Sequence, residues 1–525
     1  MKRFAVSMVV FLLFTAFMTP VSGQTFPSND PVLKSFWSEA MDSSRLELLA
    51  HELLDVVGPR LVGTPQMQKA HDWAVATYKR WGIEAKNEEY GKWRGWERGI
   101  THIDLLEPRV RTLEGTMLAW SPGTKKGGVT AGVVILPDLS DSAAYQKWFP
   151  GVKGKFVLVS QPQPTGRPEK NWEEFGMKAS ADSMKSLRQQ ITSQWNERIR
   201  KTGYRADTLR LVLEKAGAAG ILTCTWTGGW GVTRIFGTIT EKIPTLDLAM
   251  EDYNLVFRLA ERGNNPVIRV VAESRFLGPT PAMNTIGMIK GTEKPDEYVL
   301  LSAHFDSWDG ASGATDNGTG SILMMETMRL LKKYYPNPKR TIVVGHWGSE
   351  EQGLNGSRAF VKDHPEIVQK LQAAFNQDNG TGRVVNLSAQ GFLRGGEFLS
   401  RWLSHVPTEV TEHIKLSVPG IPSGGGSDHA SFVTAGTPGF GLSSLNWDYF
   451  SYTWHTTRDT YDKLVFDDLK NNVILAASLA YLASEDPEFI PRDRRVMPVN
   501  SRTGQPMEWP AVREPERAGG LPPRP

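Results

Sequence analysis

The chain has 525 residues, 40% apolar and 22% charged, an ordinary globular balance in a chain too long for one ordinary domain. A formal net charge of +3, with a sequence pI of about 8.7, leaves no large field of the kind that nucleic-acid binding exploits. Cys224 is the single cysteine, which excludes an intrachain disulfide, a disulfide scaffold and a thiolate zinc cluster.

The N-terminus reads as a targeting segment. Lys2 and Arg3 precede an apolar stretch over residues 4–17, and Val21-Ser22-Gly23 supplies small residues for cleavage before Gln24. Residues 1–23 are therefore expected to be a cleavable signal peptide, with an uncleaved signal anchor as the competing reading. The stretch is short for a membrane span and no cysteine follows it for a lipid anchor, so no stable membrane insertion is expected after cleavage. An exported chain without disulfides points to a secreted or periplasmic protein. Asn317, Asn355, Asn379 and Asn386 begin Asn-x-Ser/Thr sequences; Asn317 and Asn379 adjoin candidate metal ligands, where chance matches are the better reading.

Apolar positions at helical spacing over residues 36–56 predict a helix that Gly58-Pro59-Arg60 stops, and a second helix is predicted over residues 66–81. Residues 83–90 read as the start of a strand. From about 118 to 280 the texture changes. Residues 132–137, 154–159, 220–224 and 267–271 are short β-rich runs between turn signals. The polar stretch at about 167–215 should be mostly helical, and a further helix is expected at about 250–262. Residues 118–280 read as a separate, lid-like inserted domain, β-rich with a helical excursion. Cys224, at the end of one apolar run, reads as an inert buried thiol.

From 281 to about 487 strand and helix alternate. Strands are predicted over residues 297–303, 340–347 and 371–377, and helices over 321–335 and 466–483. The fold class is α/β, a mostly parallel, doubly wound mixed sheet with helices on both faces. From Pro491 the chain is rich in Pro and Arg, and residues 491–525 read as a tail that is extended, disordered or wrapped on the surface.

The three strands deliver His304, the pair Glu350-Glu351, and Asp378 at their C-terminal ends, where ligand sites of such sheets lie. Asp316 sits in the small-residue loop GATDNGTG and His455 in TWHTTRDT. Two imidazoles and three carboxylates can hold a pair of zinc ions, with one carboxylate left over as a base. In that division Glu351 binds metal, Glu350 accepts a proton from metal-activated water, Asp316 bridges both ions, and Asp378 and His455 complete one each. Asp306, separated from His304 by one residue and so on the same side, is placed to hold the His304 ring nitrogen that faces away from the metal.

HFDSWDGASGATDNGTG, WGSEEQGLNGS, NQDNG, GGGSDHASFVTAGTPG and WHTTRDTYDKL together resemble the co-catalytic di-zinc aminopeptidase/carboxypeptidase family. LLDVVGPRLVGTP and LLEPRVRTLEGTMLAWSPGT resemble its carboxypeptidase Q-like branch, and the inserted block resembles a protease-associated domain. The resemblance implies a zinc exopeptidase fold, with residues 24–117 and 281–490 forming the peptidase domain. It implies one zinc on His304, Asp316 and Asp378, a second on Asp316, Glu351 and His455, Glu350 as general base, and a cis Asp316–Asn317 bond. Some members carry a tyrosine before the SDH motif to stabilise the oxyanion. Here Ser423-Gly424-Gly425-Gly426 stands there, so Tyr449 or Tyr452 is a candidate replacement. His429 of that motif is a candidate substrate contact or a structural residue.

The expected function is an exported di-zinc exopeptidase on peptides or dipeptides, with aminopeptidase action preferred slightly over carboxypeptidase or dipeptidase action. The alternatives are a single-zinc glutaminyl cyclase and a non-catalytic receptor-like scaffold. The expected cofactor is two Zn2+ per chain and the expected partner a peptide substrate, with no nucleic acid. Side-chain preference, native metal and oligomeric state, a homodimer included, stay open at this level.

Overall fold

The structure, a computed structural model, describes residues 26–520. The expected signal peptide lies outside the described residues. No helix among them is long and apolar enough to cross a membrane.

Four parallel strands form the centre of the main sheet, in the order Gly439–Ser444, Leu371–Gln377, Lys294–His304 and Arg340–Trp347. Antiparallel neighbours extend both sides: Val384–Ser388 beside the first, and the end of Val267–Ile289 beside the last. Arg340–Trp347 and Leu371–Gln377 are buried along their whole length, as expected of strands covered on both faces. One face packs on helices Pro31–Asp42, Thr319–Tyr334 and Phe466–Glu485 through residues such as Phe36, Met325 and Leu475; the other packs on Phe360 and Phe432. This is the mixed, doubly wound α/β architecture that the strand–helix alternation predicts.

The Pro31–Asp42 helix starts at Pro31 with the Asp30 carboxylate accepting from Val32 N–H at 2.8 Å. Its Leu33, Phe36 and Ala40 face the core. On the same face, buried Glu39 accepts from Arg329 (2.7 Å), Lys333 (2.7 Å) and the Tyr334 hydroxyl (2.8 Å) of the Thr319–Tyr334 helix. Burial opposes the Glu39 charge, but these three hydrogen bonds outweigh it and hold the carboxyl at about 2 instead of 4.5. A depressed carboxyl stabilises the fold above its unfolded value and loses that contribution as pH falls through the folded one. Glu39→Gln is therefore expected to cost on the order of 3 kcal/mol in urea unfolding at pH 7. The difference from wild type should shrink between pH 4.5 and pH 2.

Three predictions fell short. The helix expected over residues 36–56 is interrupted: Pro31–Asp42 stops at Ser43, and Leu46–Ala50 then continues into His51–Val57. The strand expected at residues 83–90 runs on as Glu84–Glu107, and the run at 267–271 extends to Ile289. These two segments pair antiparallel over almost their entire lengths as a single ribbon. Gly91, Gly95, Gly99 and Gly278-Pro279-Thr280-Pro281 are residues that ordinarily interrupt strands. In the ribbon the first three glycines lie at or beside β-bulges, and the two prolines fall where the far edge of Val267–Ile289 is unpaired, between its partners at 267–270 and 285–289. The short strand Thr245–Leu248, ahead of the Met250–Glu261 helix, is a further element that the sequence pattern did not predict.

The outer end of the ribbon carries a second group of strands. Val129–Ile135, Phe156–Leu158, Gly220–Thr223 and Thr245–Leu248 run parallel, with Gly115–Met117 antiparallel at the edge. They share a separate apolar cluster with helices Lys178–Lys201, Ala206–Lys215 and Met250–Glu261, through Trp195, Leu209 and Phe257 among others. Residues 491–520 lie along the surface of the main body. Trp509 donates to Val433 O at 3.0 Å, and Ala518–Gly519 pairs parallel with Lys92–Trp93.

Candidate functional site

His304 closes its strand, Asp378 follows the next strand, and Glu350-Glu351 follow the strand on the other side. Three neighbouring parallel strands thus place these groups on one rim. Asp316 arrives from a single tight turn, Ala314–Gly318, in front of the Thr319–Tyr334 helix, and its bond to Asn317 is cis. That helix begins in close contact with the strand end bearing Asp378. A Cβ at Gly320 would lie 2.4 Å from Asn317 Oδ1 and 2.5 Å from Gln377 O, so only glycine fits there.

Two groups of donors result. His304 Nε2 is 3.3 Å from both Asp316 Oδ1 and Asp378 Oδ1. His455 Nε2 is 3.3 Å from Asp316 Oδ2 and 2.9 Å from Glu351 Oε2. The donor atoms of His304, Asp316 and Asp378 lie within 4.8 Å of one another, as do those of Asp316, Glu351 and His455. Asp316 belongs to both groups, one oxygen toward each imidazole.

These residues fit metal ions. Asp316 Oδ2 and Glu351 Oε1 are buried without a hydrogen-bond partner, a costly state that coordination or charge compensation relieves. Burial and the nearby Asp316 charge push the Glu351 carboxyl well above the usual range, so the pocket as built disfavours the crowded anions that a divalent cation favours. Imidazole with carboxylate is a donor set for zinc. Burial lowers the His455 imidazole to about 4, keeping it neutral as a ligand must be.

Several groups hold the donors in place. The prediction for Asp306 needs refinement: its backbone oxygen, 3.0 Å away, takes the hydrogen-bonding position at His304 Nδ1, while its carboxylate lies 3.6 Å off. The carboxylate accepts instead from the Glu350 N–H (3.0 Å) and Glu351 N–H (3.2 Å). Asp306 thus couples the His304 strand end to the acidic pair.

Two further groups escaped the sequence reading. Asp459 accepts from Thr315 N–H (2.8 Å) and Asp316 N–H (3.0 Å), gripping the turn that carries the shared aspartate; burial raises its carboxyl to about 7. The signal was present in TWHTTRDT, four residues after His455. Arg60, fully buried, donates to Phe305 O (2.7 Å), Ser312 O (2.7 Å) and Gly313 O (2.9 Å), tying together the loops on either side of the centre. In sequence it reads only as part of a helix stop.

Burial opposes the Asp316 charge, but the His304 and His455 imidazoles, with a smaller contribution from the buried Tyr449 hydroxyl, hold its carboxyl below the usual range. Tyr452 stands farther out, its ring against Gly229 of the second strand group. The His429 ring packs over Gly441 near enough to feel the Asp378 charge, although burial dominates and lowers it to about 4. The segment at residues 226–236 lies directly on the His455 segment. Ile235 N–H donates to His455 O at 2.7 Å, Thr457 N–H to Thr233 O at 3.0 Å, and the Phe236 ring lies 5.1 Å from the His455 ring. Nothing in the sequence linked these two stretches.

Residues 284–480, which include every donor above, match Peptidase family M28. Carboxypeptidase Q of Mus musculus is 28% identical over 84% of this chain and 86% of its own length, and that of Homo sapiens 27% identical over 84% and 85%. The similarity to peptidase family M28 thus spans the whole candidate site. Solved structures show the same fold: an M28 peptidase precursor from Shewanella amazonensis (24% identity, TM-score 0.64, covering 88% of this chain and 97% of that one) and a zinc aminopeptidase from Bacillus subtilis (19%, 0.54, 84% and 95%). These similarities, with the two donor groups, support a metallopeptidase of the exopeptidase kind.

Proposed function

We propose that the protein is an exported di-zinc exopeptidase that removes terminal residues from short peptides or dipeptides, with aminopeptidase-type cleavage preferred. One observation carries the reading: two three-residue donor groups share the single carboxylate of Asp316. His304 and Asp378 would hold one zinc and Glu351 and His455 the other, with Asp316 between them. When bound, such ions supply Lewis acidity to a carbonyl and acidify water. Glu350 belongs to neither group, so its carboxylate is free to take the proton of the attacking water and pass it to the leaving amine. Asp306 holds the Glu350 backbone in register with the donors. Tyr449, at the Asp316 carboxylate, is the tyrosine best placed to meet a developing oxyanion.

Residues 118–280 serve in this reading as an inserted, protease-associated-like domain that limits access to short or terminal substrates. Export rests on the basic, apolar and small-residue pattern of residues 1–23. The second donor group weighs against a single-zinc cyclase, and the complete donor set against a non-catalytic scaffold. The names of the relatives point to opposite peptide ends, aminopeptidase and carboxypeptidase, and a dipeptide has both ends beside one bond.

The test is metal analysis of the purified protein together with hydrolysis of free and N-blocked dipeptides. About two zinc per chain and cleavage that chelation and N-blocking both abolish are expected. About one zinc per chain, or no hydrolysis by metal-loaded protein, would contradict the reading; cleavage that survives N-blocking would overturn the aminopeptidase preference.

A further inference from the structure

Among the described residues, none past Ile490 joins the apolar clusters of the core, yet the chain follows the main body as far as Gly520. Two anchors hold its last part. At one, the Trp509 ring packs edge-on to Phe392, with centroids 5.4 Å apart. At the other, Ala518 and Gly519 pair with Lys92 and Trp93. Two glycines admit this second anchor. A Cβ at Gly91 would stand 2.4 Å from Arg517 O, and one at Gly519 would stand 1.9 Å from the Trp93 ring. Residues 511–514 between the anchors are exposed, so apolar burial contributes little there.

What this segment does touch is the turn that carries the acidic pair. Glu516 N–H donates to Asn355 Oδ1 at 2.9 Å. Asn355 is buried and gives its own donors to the turn: its backbone N–H to Ser349 O at 3.1 Å and its Nδ2 to Gln352 O at 3.2 Å. Ser349 and Leu354, on either side of Glu350-Glu351, have φ of 57° and 58°, a left-handed backbone that residues other than glycine avoid. Such a turn persists only where its surroundings fix it. The Asp306 carboxylate fixes the front, through the Glu350 and Glu351 N–H groups, and Asn355 fixes the back. Arg517 adds a second link, donating to Tyr90 O at 2.9 Å, while the Tyr90 hydroxyl lies 2.7 Å from Ser349 Oγ.

We propose that residues 509–519 form a strap that positions Glu350 and Glu351, with Asn355 as the positioning residue through which it acts. This rests on the exopeptidase reading, in which that pair supplies the base and a metal donor. The strap adds no group to the reaction; it sets the distance between the base and the donor groups.

Glu516→Pro in the full-length protein removes the N–H that meets Asn355 and leaves Asn355 itself in place. Amide hydrogen exchange at residues 350–355 should become faster by about 10-fold, the worth of one hydrogen bond, with little change in the thermal midpoint. For dipeptides kcat should fall by about 10- to 100-fold with KM within about twofold of wild type. Asn355→Ala should be at least as severe, and Glu516→Pro should add nothing to it, because both break one link. Val512→Pro, at an exposed residue whose N–H makes no hydrogen bond among the described residues, should leave exchange and kcat unchanged. Wild-type exchange at residues 350–355 in Glu516→Pro, effects of the two substitutions that add, or faster exchange with an unchanged kcat would each overturn the proposal. Faster exchange in a protein that cleaves no dipeptide would sustain the strap's hold on the turn while removing the exopeptidase reading beneath it.

Discussion

Glu350→Gln should lower kcat for dipeptide hydrolysis by about 10²- to 10⁴-fold, the range for loss of a general acid–base group, while the metal content stays at the wild-type value. The expectation follows from where Glu350 stands. It adjoins Glu351, a donor whose Oε2 is 2.9 Å from His455, yet it is in neither donor group itself. Its backbone is fixed by the Asp306 carboxylate at 3.0 Å, so an isosteric amide should keep the loop in place. Glutamine keeps shape and hydrogen bonding but cannot take a proton from water. The separation of the two readouts is decisive, because a ligand would lose metal and activity together, whereas a base loses activity alone. A variant within tenfold of wild type would place the base elsewhere, and a variant with depleted zinc would make Glu350 a ligand.

Asp316→Asn should be the most damaging substitution for the metal content. Asp316 Oδ1 faces His304 and Oδ2 faces His455, both at 3.3 Å, so one carboxylate serves both groups. Asparagine offers one oxygen and no charge, leaving one group short of a donor and both short of a negative charge. The protein should retain fewer than one zinc per chain after gel filtration, with hydrolysis down about 10³-fold or more. Asp378→Asn is the informative partner. Asp378 belongs to the His304 group alone, so that variant should keep about one zinc, on Glu351 and His455 with Asp316. The turn itself should survive Asp316→Asn, because Asp459 grips its backbone N–H groups and not its side chain. Two zinc ions retained by Asp316→Asn would refute the shared-carboxylate arrangement.

What could be read directly followed from local rules. Arg340–Trp347 and Leu371–Gln377 each have an apolar centre, residues 342–344 and 373–375, with carboxylates shortly past the end, and both strands appear with the predicted bounds. The ribbon of Glu84–Glu107 with Val267–Ile289 could not be read that way. Its glycines and prolines are breakers locally and become tolerable only through bulges and an unpaired edge, which are properties of the partner strand. Arg60 was opaque for a related reason: its bonds go to backbone oxygens of residues 305–313, and a carbonyl leaves no mark in the sequence.

The sequence by itself determined the chemistry available: two imidazoles, three donor carboxylates and a spare one, each at a strand end or in a turn. Only the tertiary structure decided that Asp316 is shared, that Asp306 serves the acidic pair through its carboxylate, and that residues 226–236 wall His455. The division has a physical cause. Residue type and local periodicity are carried by the chain, but coordination and enclosure depend on distances of about 3 Å between groups far apart along it, and strand order sets those distances.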